Sequence, residues 1–243
     1  MADRYALYFA PAPDTALACF GSRILAHDAA TGADLQALVP DGFDAAEFHA
    51  LTEEPRRYGF HATLKAPFRL REGRSEAELA IGLRDFAARQ TAFTLPRLAV
   101  TAIRSGSAGG FVALTEPQPV PALVALERAV VPAFEAFRAP LTEAEIARRR
   151  PETLGERQRA NLLAYGYPHV LEDFRFHMTL TGRVPEPDLD RMVDALAVLY
   201  ARHVADSEVA VDALSLFRQR PGERFRILAR AAFGSRDASV PRR

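Results

Sequence analysis

The sequence predicts an α+β fold of two pseudo-symmetric lobes. Each is a mainly antiparallel sheet with helices on its outer face, and the two flank a central groove. Three observations predict it. Strand-like runs and amphipathic helical stretches follow one order that occurs twice. A Phe-His-x-Thr-Leu pentapeptide stands at the matching place in each series. Proline and Gly/Ser signals punctuate the runs, with no low-complexity linker between the halves.

In the first half, Tyr5 to Phe9 is a short apolar run closed by Pro11 and Pro13 and reads as a strand. Asp14 to Ala30 contains a helix. Thr31 to Pro55 is irregular, with a short helix near Asp44 to Leu51. Arg57 to Phe68 is extended, because Pro55 and Pro67 bracket it and both disfavour helix. Ser75 and Glu78 have capping-box spacing, and Leu79, Leu83 and Phe86 continue a helix to about Arg89. Phe93 to Arg104 and Gly110 to Thr115 read as two strands around a Ser/Gly turn.

The second half repeats these ingredients. A helix fits Pro121 to Phe137, with Leu123, Leu126, Val130 and Phe134 on one stripe. Thr142 and Glu145 form a second capping-box pattern, and Glu156 to Ala164 reads as another helix. Arg175 to Val184 reads as a strand. Leu189, Met192, Val193, Leu196, Leu199 and Tyr200 mark an amphipathic helix. Glu208 to Gln219 and Glu223 to Phe233 form a hairpin across Arg220, Pro221 and Gly222. The expected organisation is one domain: a first lobe over 1–120, a second over 121–234 with an insertion at about 138–172, and a flexible tail over 235–243.

Composition narrows the function. The chain has 243 residues, 49% hydrophobic and 26% charged, with 31 basic residues against 31 acidic. That excludes a disordered chain, and zero net charge argues against non-specific binding to long nucleic acid or anionic membranes. Cys19 is the only cysteine, so an intrachain disulfide and a multi-Cys zinc site are both excluded; it reads as a small buried hydrophobe. No signal peptide and no run of about 18 apolar residues is visible, so a cytoplasmic protein is expected.

The chemistry-bearing feature is the doubled pentapeptide, Phe60-His61-Ala62-Thr63-Leu64 and Phe176-His177-Met178-Thr179-Leu180. With 6 His and 12 Thr in the chain, about 0.3 His-x-Thr matches arise by chance, so one copy alone is weak and two flanked copies are not. On a strand, residues i and i+2 share a face. His61 with Thr63, and His177 with Thr179, therefore project one way, while the apolar flanks face a core. Extending the alternation adds Lys65, Arg175 and Thr181 to the polar face. Two imidazoles facing one substrate suit general acid–base catalysis, with His61 and His177 as the catalytic pair. Thr63, Thr179, Lys65, Arg175 and Thr181 are then the candidate phosphate-binding groups. This logic requires no metal and no cofactor. The expected partner is a small phosphorylated substrate, with no membrane.

These residues resemble the two-histidine (2H) phosphoesterase superfamily, with its LigT-like fold of two α+β lobes. Its members include RNA 2′,3′-cyclic phosphodiesterases and tRNA-splicing cyclic phosphodiesterases. The resemblance extends over most of the chain to a bacterial phosphonate-metabolism branch. It is carried by Arg4-Tyr5-Ala6-Leu7-Tyr8-Phe9, by Arg57 through Phe68, by Phe137 through Thr142, and by Tyr165-Gly166-Tyr167-Pro168 with Phe174 through Gly182. The resemblance implies a phosphodiesterase that opens a small cyclic phosphate, with His61, Thr63, His177 and Thr179 in the catalytic positions. The branch's association with phosphonate breakdown points to a ribosyl cyclic phosphate. Two other readings stay open: an RNA-end 2′,3′-cyclic phosphodiesterase, and a sensor of a phosphorylated metabolite without chemistry. The insertion holds Arg148, Arg149, Arg150, Tyr167 and His169, either as a lid over the groove or as a solvated helix.

Overall fold

The computed structural model describes residues 2–104 and 108–234; the tail at 235–243 lies outside the described residues. One seven-stranded sheet organises the chain, in the order β4-β5-β6-β2-β1-β8-β9. The strands are β1 (Arg4–Phe9), β2 (Ala62–Phe68), β4 (Ala99–Arg104), β5 (Gly110–Thr115), β6 (Met178–Thr179), β8 (Ala213–Gln219) and β9 (Arg226–Ala232). The short strands β3 (Phe93–Pro96) and β7 (Glu208–Val211) pair with each other in a separate ribbon. All pairings are antiparallel.

The pseudo-symmetry is visible in this order, together with an exchange. The two motif strands, β2 and β6, lie side by side at the centre. Helix α4 (Glu76–Ala87) follows β2 and packs on β8 and β9; helix α8 (Glu186–His203) follows β6 and packs on β4 and β5. Each half's hairpin then crosses over. The β4–β5 hairpin of the first half joins β6, and the β8–β9 hairpin of the second half joins β1. The stretches 1–120 and 121–234 therefore share one sheet, and each flank draws strands from both.

The helices form where local chemistry allows them. Ser75 and Glu78 close a complete capping box at the start of α4, and Thr142 with Glu145 does the same for α6 (Glu143–Arg148). Thr15 caps α1 (Ala16–Ile24) and Asp44 caps α2 (Ala45–Leu51). The remaining helices are α3 (Glu53–Arg56), α5 (Pro121–Ala133) and α7 (Glu156–Tyr165). Helix α8 buries Leu189, Met192, Leu196, Leu199 and Tyr200, the helical stripe seen in the sequence. Each buried leucine there contributes about 2 kcal/mol. These faces close one large core with Leu7, Phe9, Leu64, Leu114, Met178 and Leu216 of the sheet. The other side of the sheet carries a smaller cluster of Ala6, Tyr8, Ala10, Ala29, Phe217 and Phe225.

Four expectations are corrected. Phe93 to Arg104 is two strands, because the chain leaves the β3–β7 ribbon after Pro96 before entering the main sheet. Glu208 to Gln219 divides in the same way at Asp212. The strand expected over Arg175 to Val184 is regular only at Met178–Thr179. The helix from Pro121 ends at Ala133, one residue past Pro132, and Glu135–Phe137 continues as a 3-10 turn.

Candidate functional site

The two pentapeptides meet about a local two-fold axis. Ala62 and Met178, the middle residues of the two His-x-Thr triplets, are direct partners in the antiparallel β2–β6 pair. One step of that register in each direction sets His61 beside Thr179 and His177 beside Thr63. The apolar flanks go to the core: Phe60, Ala62, Leu64, Phe176, Met178 and Leu180 are all buried. The four polar side chains occupy the opposite face, each half-buried.

Each imidazole is held by the same device. His61 Nδ1 donates to the Gly59 carbonyl at 2.8 Å, and His177 Nδ1 donates to the Arg175 carbonyl at 2.8 Å. A carbonyl only accepts, so both rings carry their proton on Nδ1 and keep Nε2 for the groove. The Thr63 hydroxyl lies 3.2 Å from His61 Nε2 and donates to it in the neutral ring. Gly59 makes the first bond possible. Its φ is +76°, and a Cβ there would sit 2.6 Å from that of Ala29.

Aromatic rings set the environment. Tyr8 stacks on His61 at 3.6 Å between centroids with a 17° interplanar angle, and its strand position is opposite Thr63. Phe217 and Tyr58 approach His61 at 6.0 and 6.4 Å, and Phe111 approaches His177 at 5.8 Å. Burial among these rings drives the His61 pKa down to about 4; the Gly59 carbonyl opposes the shift and the His177 charge adds to it. His177 is also lowered by burial, against the pull of the Arg175 carbonyl. Thr179, Phe111 and Tyr58 line a cavity of about 370 Å³ beside the pair.

Two of the candidate phosphate ligands, Lys65 and Thr181, do not share this face as the alternation predicts. Lys65 is opposite Leu7, whereas Thr63 is opposite Tyr8, so one extra residue intervenes. That bulge turns Lys65 to the helix side. It is buried there, with Nζ donating to Val131 O and to Glu135 Oε2 at 2.8 Å each. Thr181 follows a bulge of the same kind, since Leu180 and Thr181 both donate their amides to Val112 O. It is fully buried, and its hydroxyl accepts from Val112 N and donates to Gly182 O at 2.9 Å each. Arg175 is exposed, and its carbonyl serves His177.

Lys65 is the chain's only lysine, and its ion pair supports the insertion. Glu135 also takes Arg138 Nε at 2.6 Å, and Arg138 reaches Ala164 O at 3.1 Å. Lys65→Met is expected to remove roughly 1–3 kcal/mol of stability, because Val131 O and Glu135 lose a charged donor. Denaturant unfolding measures the loss; an unchanged midpoint would show that the buried ion pair contributes nothing.

The insertion forms a pinned wall. Arg69 holds Glu145 of α6 with two bonds, at 3.2 and 2.9 Å, and keeps that carboxyl down near a pKa of about 2. Leu171 N donates to the fully buried Glu127 of α5. Tyr167, His169 and Arg149 come with it: Arg149 lies over the Tyr167 ring at 5.1 Å, and Tyr167 meets His169 at 5.5 Å. The site residues not anticipated are Tyr8, Tyr58 and Phe111, aromatic neighbours of the two histidines. One further reading is corrected by burial. Cys19 is exposed on the outer side of α1, not buried. Arg56 is buried and bonded to Leu25 O, His49 and Thr52.

Among the described residues no helix is long and apolar enough to cross a membrane. The chain is similar to two curated proteins, each named ribose 1,5-bisphosphate phosphokinase PhnN. It is 39% identical to that of Janthinobacterium sp. (strain Marseille), over 98% of this chain and 53% of the relative. It is 34% identical to that of Laribacter hongkongensis (strain HLHK9), over 76% of this chain and 42% of the relative. The chain thus spans about half the length of the curated relatives it matches. Among solved structures it is similar to a Thermus thermophilus protein (TM-score 0.49, 14% identity, 96% of this chain and 99% of that one). It is also similar to E. coli LigT complexed with 3′-AMP (TM-score 0.43, 16% identity, 96% and 99%). The model of the family described as protein of unknown function (DUF1045) matches residues 63–226, well over half of the sequence, and the chain belongs to that family.

Proposed function

We propose that the chain is a phosphodiesterase that opens a small ribosyl cyclic phosphate by general acid–base catalysis with His61 and His177. The observation that carries this reading is the two-fold arrangement about Ala62 and Met178, which gives each imidazole the other motif's threonine as its neighbour. An in-line displacement at phosphorus needs a base on one side and an acid on the other. Water attacks phosphorus while one Nε2 takes its proton. The ring P–O bond breaks, and the other imidazole, protonated, gives its proton to the departing oxygen. The product is a phosphomonoester. Thr63 and Thr179 donate to the non-bridging oxygens, where charge builds in the transition state.

The relatives' name supports a substrate. The chain holds no G-x-x-x-x-G-K-[ST] phosphate loop, since its one lysine, Lys65, follows Leu64. A nucleotide-dependent kinase step named for the relatives then belongs to the half this chain does not match. Ring opening of a ribose 1,2-cyclic phosphate that already carries a 5-phosphate gives ribose 1,5-bisphosphate, the compound in that name. The test is turnover, in EDTA, on ribose 1,2-cyclic phosphates with and without a 5-phosphate, nucleoside 2′,3′-cyclic phosphates and a short RNA ending in a cyclic phosphate. Hydrolysis of the sugar phosphates is expected. Turnover of RNA alone would replace the substrate, and tight binding without turnover would replace the enzyme with a sensor.

A further inference from the structure

A second cavity, of about 280 Å³, shares Tyr58 with the first and is lined by Arg4, Tyr58, Arg69, Glu145, Arg148 and Arg149 among others. Its charge is unbalanced. Arg69 and Glu145 neutralise each other. Arg4 donates to the neutral Gln219 amide oxygen and lies 5.4 Å from the Phe225 ring centroid. Arg148 Nε donates to the Ala144 carbonyl, and Arg149 rests on the Tyr167 ring. Arg4, Arg148 and Arg149 have no carboxylate within salt-bridge distance among the described residues.

Three such guanidinium groups from two distant parts of the chain, β1 and the end of α6, converge on one hollow. Guanidinium forks match phosphate oxygens, and three positive charges suit a dianion. The hollow is linked to the reacting groups. Tyr58 lines both cavities, and its ring lies 6.4 Å from that of His61. Arg4 and Arg149 both act electrostatically on Tyr8, the ring stacked on His61.

We infer that this cavity is a subsite for a terminal phosphate monoester on the sugar, held by Arg4, Arg148 and Arg149 while the cyclic phosphate lies between His61 and His177. The inference rests on the phosphodiesterase reading and adds to it the groups that hold the second phosphate, away from the two histidines. It also gives the insertion a task, because α6 brings two of the three cations.

The test compares wild type with Arg149→Ala, Arg148→Ala/Arg149→Ala and Arg149→Lys. Steady-state kinetics use the ribose 1,2-cyclic phosphate with and without its 5-phosphate, and calorimetry measures binding of ribose 5-phosphate. Each alanine is expected to raise KM for the 5-phosphorylated substrate about 10- to 100-fold. KM for the unphosphorylated one should stay within about twofold, a change too small to count as a lost guanidinium–phosphate contact. Lysine should recover part of the loss, since it keeps charge and loses the fork. Ribose 5-phosphate binding should weaken in parallel. Equal losses on both substrates, or unchanged ribose 5-phosphate binding, would overturn the subsite while leaving the phosphodiesterase reading intact. Ribose 5-phosphate binding that depends on the arginines, with no turnover of any cyclic phosphate, would keep the subsite and sink the reaction.

Discussion

His61→Ala and His177→Ala should each lower kcat on the ring-opening substrate by about 10²- to 10⁴-fold. The double variant should lose little beyond the worse single. Acid and base act in one displacement, so removing either leaves the other without its complement, and such losses do not add. Either alanine deletes a side chain whose Nδ1 bonds a carbonyl two residues earlier. Some local loosening is therefore expected, and His61→Gln and His177→Gln serve as polar controls. Substrate binding should survive far better than turnover, because Thr63 and Thr179 remain. Additive losses in the double variant would mean that the histidines act in separate steps. Wild-type turnover in both singles would end the two-histidine mechanism.

The pentapeptides were legible because strand alternation is local. A two-residue period separates His61 and Thr63 from Ala62 and Leu64 whatever strand lies alongside. The capping boxes at Ser75 and Thr142 were legible for the same reason. Alternation misled at Lys65 and at Thr181, which occupy the same place after each motif, because a bulge interrupts both strands there. A bulge depends on the partner strand and leaves no mark in the alternating pattern. The hairpin exchange is hidden on similar grounds: β4–β5 and β8–β9 have the same local character, and only the tertiary pairing tells which motif each joins. Tyr8 reads from the sequence as part of a strand, but its role follows from the β1–β2 register that sets it opposite Thr63.

The pH dependence of kcat/KM should be bell-shaped and displaced to the acid side of 6.5, the ordinary histidine value. Burial holds His61 at about 4 in the free protein, and His177 is lowered as well. The base must be neutral and the acid protonated, so the acid limb should fall near 4 and the alkaline limb below 6.5. The two limbs belong to the coupled pair. The Tyr8 ring, stacked on His61 at 3.6 Å, keeps water from one face of that imidazole. Tyr8→Phe retains the stack and should leave the acid limb in place. Tyr8→Ala admits water, and the limb should move up toward 6.5. The same shift fixes a sign for stability. The unfolded chain binds a proton on His61 near 6.5 and the native chain only near 4, so the contribution is complete above 6.5 and is lost as pH falls toward 4. Denaturant midpoints across that window should therefore slope downward with acid in wild type and less steeply in His61→Gln. An acid limb at 6.5 in wild type, or one that Tyr8→Ala does not move, would show that the Tyr8 stack does not tune His61.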